Sequence, residues 1–315
     1  MKALITGGAG FIGSNLARGL IERGDDVRIL DNLVTGSLAN LHDIERAIDQ
    51  RIGDVRDPNS ARGAVRGVDV VFHLAALPSV ARSVRDPASS HEVNAGGTLT
   101  MLEAARAEGC RRFVYASSSS VYGDTPILPK HEEMPVSPRS PYAASKLAGE
   151  AYCRAYARSY DLETVSLRFF NVFGPRQDPA SEYAAVIPRF TTRMLAGERP
   201  VVFGDGSQSR DFTHVANAVS ACLLAASAPS DASGEAFNVG CGSRTSLLEL
   251  VELLATILGR ATGVDFAEPR PGDVAHSEAA VDRARAFLGY LPVIGVRDGL
   301  TDVAEWFART GAVTV

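Results

Sequence analysis

The chain has 315 residues, 45% of them hydrophobic and 22% charged, enough to bury the core of one large domain or two intimate ones and far from the composition of a disordered chain. A formal net charge of -5 lacks the basic excess that nucleic-acid binding needs, so an anionic ligand must be held by local groups. Cys110, Cys153, Cys222 and Cys241 show no CxxC spacing and sit among apolar or small residues, which suits reduced core thiols and leaves no expected metal site.

The first segment, MKALITGGAGFIGSNLARGLIERG, is too short in its apolar run for a signal peptide, and nothing later reaches the roughly 18 apolar residues of a membrane span. A cytoplasmic protein with no membrane partner is expected. The same segment reads as an apolar strand, Ala3–Thr6, a glycine turn and an amphipathic helix. Gly7, Gly10 and Gly13, with Phe11 and Ile12 between them, allow a tight turn and a close approach of backbone to a pyrophosphate at the positive end of the helix. The next apolar run, Val27–Leu30, ends in Asp31 and Asn32 of DNL. A carboxylate there can accept hydrogen bonds from both ribose hydroxyls and repels a 2′-phosphate, which predicts NAD as the cofactor.

Two further stretches fit the same cleft. GDVRD places Asp54 and Val55 beside an adenine, and FHLAA, after the run Val68–His73, gives close backbone approach at Leu74, Ala75 and Ala76. The strands Phe113–Ala116 and Thr164–Arg168 complete an alternation of continuous apolar runs with amphipathic helices. That pattern predicts an α/β fold, a Rossmann-type doubly wound parallel sheet with ligands at the carboxyl ends of its strands.

Between the last two strands lies SPYAASKLAGEAYCRAYA, where Tyr142 and Lys146 are four residues apart on one helical face. An adjacent ammonium favours the phenolate, which can then take a proton from a sugar hydroxyl. The spacing alone says little. Its position after ASSSSVYG, whose Ser117–Ser120 fall at a strand's carboxyl end, gives it meaning, although some of these serines can serve only turns and caps.

Beyond Asn171 the pattern changes to a Gly/Pro-rich turn, a helix near Ala184–Leu195, a short strand at Val201–Phe203, and helices near Ser246–Leu258 and Val296–Phe307. This predicts a cofactor domain over 1–170, with 211–240 returning to it, and a smaller α/β substrate-binding domain from 171–210 and 241–315. No internal repeat is evident.

The motifs GGAGFIG, DNL, HLAA, SSSSVYG, YAASK, RFFNVFGPRQDP, GDGSQSRDF and RPGDV occur in the order seen in UDP-sugar 4-epimerases, and over nearly its whole length the chain resembles this branch of the extended short-chain dehydrogenase/reductase family. The resemblance implies that Ser118 meets the substrate O4, that Tyr142 is the acid/base, that Lys146 binds the nicotinamide ribose and that Asn94 helps hold that end of the site. It also implies Asn171 on the diphosphate, Arg210 and Arg270 clamping the phosphates, Asp273 on the uridine ribose, and Val186 and Ile187 bordering the uracil. Ser79, Ser119, Ser120, Gln177 and Ser277 join the substrate residues, the last two beside the 2-substituent of the sugar.

Dehydratases and decarboxylases of this fold carry acidic residues where Ser119 and Ser120 stand, so epimerisation is favoured. The substrates implied are UDP-GlcNAc/UDP-GalNAc and/or UDP-Glc/UDP-Gal, because small Ser277 leaves room for an acetamido group without requiring one. UDP-glucuronate remains the alternative, ahead of dehydration or decarboxylation and of a non-catalytic NAD-binding protein. A homodimer through helices near Ser90–Glu108 and Ser140–Arg158 is implied by the same resemblance.

Overall fold

A computed structural model describes residues 1–180, 185–261, 263–268 and 275–311. The cofactor half runs β1 (Lys2–Thr6), α1 (Phe11–Glu22), β2 (Asp26–Asp31), β3 (Ile48–Ile52), α2 (Pro58–Val65), β4 (Val70–His73), α3 (Val80–Arg85), α4 (Pro87–His91), α5 (Gly97–Ala107), β5 (Arg112–Ser118), α6 (Pro141–Ser159) and β6 (Glu163–Phe169). After it come β7 (Val172–Phe173), α7 (Val186–Leu195), β8 (Val201–Phe203), β9 (Ser209–Arg210), β10 (Thr213–His214), α8 (Val215–Ser227) and β11 (Glu235–Val239). The chain closes with β12 (Thr245–Ser246), α9 (Leu247–Leu258), β13 (Asp265–Ala267), α10 (Asp282–Leu288) and α11 (Val296–Thr310).

Seven strands form one parallel sheet in the order β11-β6-β5-β4-β1-β2-β3. The expected doubly wound architecture is present. Successive strand residues feed opposite cores: Ala3 and Ile5 pack with Leu16 and Leu20 of α1 and Ala221 and Ala225 of α8, whereas Leu4 packs with Val65 of α2 and Met101 and Leu102 of α5. Both faces are therefore covered, which is why β1, β4 and β5 read as unbroken apolar runs. The strand order reverses between β1 and β4, and the crevice above that point is where such sheets bind ligands.

β3 was not among the expected strands. Its sequence, IDQRI, lies at the sheet's edge with three of five residues exposed, so it carries neither an apolar run nor a clean alternation. It forms because β2 offers it a full parallel register. The third expected strand also begins at Val70 rather than Val68.

A separate apolar cluster joins α7, β8, α9 and α11 through Phe190, Met194, Val202, Leu250, Leu254, Val303 and Phe307. α9 is held at its start by a reciprocal Ser246/Glu249 capping box and stopped by left-handed Gly259. No helix among the described residues is long and apolar enough to cross a membrane.

Candidate active site

A cleft of about 1070 Å³ runs across the carboxyl ends of β1, β2, β4 and β5 and under the segments after β6. Among the described residues lining it, five are cationic (Arg56, Arg82, Lys130, Lys146, Arg210) and two acidic (Asp31, Asp178). On a chain of net charge -5, that local excess marks a site for an anion.

The glycine turn forms one end. Gly7 has φ of 71°, and a Cβ there would lie 2.8 Å from the Ala75 nitrogen, so the turn packs directly on the Leu74–Ala76 backbone. At Gly13 a Cβ would come within 2.2 Å of the Gly7 carbonyl oxygen and 2.8 Å of the Gly8 Cα. The start of α1 is thus pressed against the turn and its free N–H groups face the cleft, a cradle suited to a pyrophosphate. Gly7, Gly10, Phe11, Ile12, Gly13, Asp31, Asn32, Val55, Leu74, Ala75 and Ala76 all line the cleft. The Asp31 carboxylate accepts from the backbone nitrogens of Ala9 (2.9 Å) and Leu33 (2.8 Å), which fixes its aim and leaves lone pairs for a ribose.

Two expected cofactor residues are not among those lining the cleft. The Asp54 carboxylate is taken by Arg56 and Asn32, and the Arg56 hydrogen bond holds it well below the usual carboxylate range. Its neighbours Gly53, Val55 and Arg56 form the wall instead. Asn94 is buried in a single π-helical turn, Glu92–Gly96, where it accepts from Leu77 N (2.8 Å) and donates to Ser145 Oγ (3.1 Å). It ties the β4 loop to α6, acting through its neighbours.

α6 starts at Ser140, whose hydroxyl caps Ala143 N, with Pro141 in the first turn. This places Tyr142 in the opening turn and Lys146 one turn on, both on the cleft. Burial raises the Tyr142 phenol, and a hydrogen bond with Ser118 opposes the rise. Burial also lowers the Lys146 ammonium to about 8, and its Nζ donates to the Ala116 carbonyl at 2.8 Å while lying 5.2 Å from the Tyr115 ring centre. Ser118 closes β5 and accepts from Ser120 N (3.2 Å) and Ser120 Oγ (2.8 Å). Ser119 lines the same wall. Ser117, on the same wall, donates to Glu150 Oε1 at 2.5 Å. Glu150 in turn makes a two-point pair with Arg168 (2.9 and 2.8 Å), and Arg168 donates to Tyr122, which donates to Asn238. A buried polar network therefore braces the floor beneath the catalytic candidates.

The opposite wall brings together Asn171, Gln177, Arg210 and Ser277. Asn171 has φ of 31°, a strained conformation for a residue with a Cβ, and its amide donates to Ser277 Oγ (3.1 Å) and to the Asp211 carbonyl (3.2 Å). Arg210 donates to the Ala275 carbonyl at 3.0 Å. Val186 and Ile187 belong to the separate core, Ile187 fully buried there, and the cleft surface at that point is Ala185. Ser79 caps α3 by accepting from Arg82 N, with Pro78, Val80 and Arg82 lining the cleft around it. Arg270 and Asp273 lie outside the described residues. Arg82 and Lys130 were not anticipated, and no local motif marks them; Arg56 and Asp178 fall within the GDVRD and RFFNVFGPRQDP stretches already singled out.

Comparison with known proteins places this geometry. Residues 3–240 match the family described as Epimerase, NAD dependent epimerase/dehydratase family. A UDP-glucose 4-epimerase of Mycolicibacterium smegmatis is 42% identical over 311 residues, 98% of each chain. A UDP-N-acetylglucosamine 4-epimerase of Methanobrevibacter ruminantium, solved with UDP-N-acetylmuramic acid, superposes with a TM-score of 0.93 at 36% identity over 98% of each chain. A Thermus thermophilus UDP-glucose 4-epimerase solved with NAD gives 0.89 at 37% identity, covering 98% of this chain and 99% of that one.

Proposed function

This chain belongs to the NAD dependent epimerase/dehydratase family, and we propose that it is the 4-epimerase of a UDP-hexose. One observation carries the reading. Ser118, Tyr142 and Lys146 line the cleft together, and Ser119 and Ser120 beside them supply hydroxyls, while the carboxylates among the described lining residues are Asp31 and Asp178. Elimination of water needs an acid and a base beside the sugar's C5 and C6, and Ser119 and Ser120 supply neither.

The glycine cradle and the fixed Asp31 carboxylate fit NAD, with Asn32, Val55 and Leu74–Ala76 completing its wall and Asp54 and Asn94 supporting it. Bound NAD supplies a hydride acceptor and, later in the same turnover, a donor. Tyr142 takes the proton of the sugar 4-hydroxyl and returns it, with Ser118 hydrogen-bonded to the same phenol. Lys146 keeps a positive charge one turn from that phenol, which favours the phenolate. Asn171 and Arg210, with Arg270 and Asp273, hold the uridine diphosphate while the 4-keto sugar turns over. In this reading residues 1–170 and 211–240 serve the cofactor, and 171–210 and 241–315 the sugar nucleotide. Support comes from β11 pairing with β6 in the large sheet.

For the sugar we favour UDP-GlcNAc/UDP-GalNAc and/or UDP-Glc/UDP-Gal, on the small Ser277 side chain at the cleft wall beside Gln177. UDP-glucuronate is the second reading, favoured by Lys130, a 1% exposed cation on the cleft whose Nζ donates to the Thr125 carbonyl. A homodimer through the α5 and α6 region is proposed with it, consistent with exposed Tyr152 and Tyr160, and light scattering tests it. The deciding experiment incubates the protein separately with UDP-Glc, UDP-GlcNAc and UDP-GlcA and reads products by NMR. A 4-epimer is expected, and a 4-keto-6-deoxy sugar or a pentose would overturn the reading.

A further inference from the structure

Asp211 has no place in the chemistry above, yet three chain segments of the substrate wall converge on it. It is fully buried between Arg210 and Phe212. Its Oδ1 accepts from Cys241 N at 2.7 Å, and its Oδ2 from Gly242 N at 3.0 Å and Ala279 N at 3.1 Å. Its own carbonyl accepts from the Asn171 amide at 3.2 Å. A Cβ at Gly240 would stand 2.8 Å from Oδ2, so the turn after β11 is drawn close to the carboxylate.

Residues 275–279 form no helix or ladder strand. Besides Asp211 they are held by isolated bridges, Ser209 to His276 and Lys130 to Ala279, by Ser209 Oγ on His276 Nδ1, by Arg210 on the Ala275 carbonyl, by Asn171 on Ser277 and by an Arg244–Glu278 ion pair; of these groups the Asp211 carboxylate is the one that also holds the turn after β11. Ser277 stands two residues before the clamped Ala279 nitrogen, Arg210 is the carboxylate's chain neighbour, and Asn171 bonds both Ser277 and Asp211. A carboxylate can serve three N–H groups in three directions because it only accepts, whereas an amide of the same shape presents donors at one end.

We propose that Asp211 is a positioning residue that sets the wall of Asn171, Arg210 and Ser277 in register for the uridine diphosphate end of the substrate. This rests on the cleft reading given above. Burial raises the Asp211 carboxyl to about 6, and the titratable groups around it are Glu278, Cys241 and Tyr290. The signs of its two effects differ. A carboxyl whose folded pKa is raised makes the folded state less stable as pH rises through about 6, whereas loss of the three-way acceptor weakens the wall as pH falls through the same range.

The test measures UDP-glucose binding calorimetrically on a Tyr142→Phe background, which prevents turnover, with and without Asp211→Asn. Asp211→Asn is expected to weaken UDP-glucose about tenfold while NAD carried through purification is retained. An unchanged affinity, or equal loss of NAD and UDP-glucose, overturns the proposal. Absence of binding of both UDP-glucose and UDP-GlcNAc by the Tyr142→Phe parent instead defeats the cleft reading. Should Asp211→Asn not fold, the parent decides: its affinity for UDP-glucose should fall from about pH 7.5 to about pH 5.5 while bound NAD is retained, and a flat profile refutes the role.

Discussion

Gly13→Ala tests whether the turn between β1 and α1 is a built cofactor cradle. The added methyl would meet the Gly7 carbonyl oxygen at 2.2 Å, the Gly8 Cα at 2.8 Å and the Gly7 carbonyl carbon at 3.0 Å. All three are backbone atoms that no rotamer change can move. Ordinary contact begins near 3.4 Å, so the first turn of α1 has to retreat by about 1 Å, and overpacking of this kind costs about 1–3 kcal/mol. Alanine's better helix propensity returns about 1 kcal/mol, leaving a modest loss of stability. The cofactor suffers more, because a displacement of that size separates the helix N-terminus from the turn that shares its ligand. We expect at least about a tenfold loss of NAD affinity, measured as cofactor released on denaturing the purified protein and as loss of the NAD-dependent shift in thermal unfolding. Gly10→Ala, with one contact at 3.1 Å and φ of -78°, should lose less. A Gly13→Ala protein with full NAD content and unaltered unfolding would refute the cradle.

Tyr142→Phe removes the phenol that Ser118 meets and should lower kcat by about 10²–10⁴ without loss of fold, checked by NMR of the sugar products and circular dichroism; full activity would remove Tyr142 from the chemistry. Glu150→Ala strands the Arg168 guanidinium, whose side chain is 5% exposed, and should cost about 3–5 kcal/mol in denaturant unfolding; the double change Glu150→Met with Arg168→Met should recover part of it. Ser277→Tyr should cut the UDP-GlcNAc to UDP-Glc rate ratio about tenfold or more, and an unchanged ratio would place the 2-substituent elsewhere. Burial pushes His73 down to about 3, with Thr6 and Thr98 on its two ring nitrogens. A depressed histidine contributes stability that is present above its unfolded value near 6.5 and is lost as pH falls toward 3, by about 1.4 kcal/mol per unit; His73→Gln should flatten that limb of the acid-unfolding curve.

The parts of this protein that were legible in its sequence are those whose geometry is local. The β1 turn needs glycines at fixed spacing within seven residues. Tyr142 and Lys146 share a face because four residues make about one helical turn. Ser118 ends a strand whose apolar run is unbroken because both sheet faces are covered, and Asp31 ends one interrupted by Arg28, which pairs with Asp49. β3 escaped notice because an edge strand needs little apolar patterning and takes its register from β2.

What the tertiary structure decided is which of the remaining residues line the cleft and which do not. Asp54 and Asn94 sit at the expected places in the chain, but one is held by Arg56 and the other spans Leu77 and Ser145. Ile187 packs into the separate core while Ala185 takes the surface. Arg56, Arg82 and Lys130 become cleft residues, and Asp211 becomes a clamp on Cys241, Gly242 and Ala279, only when segments far apart in sequence are packed together. Periodicity reports which face of an element is apolar. It carries no record of which distant backbone N–H will meet a given carboxylate, because that pairing is set by how the two cores close around the cleft.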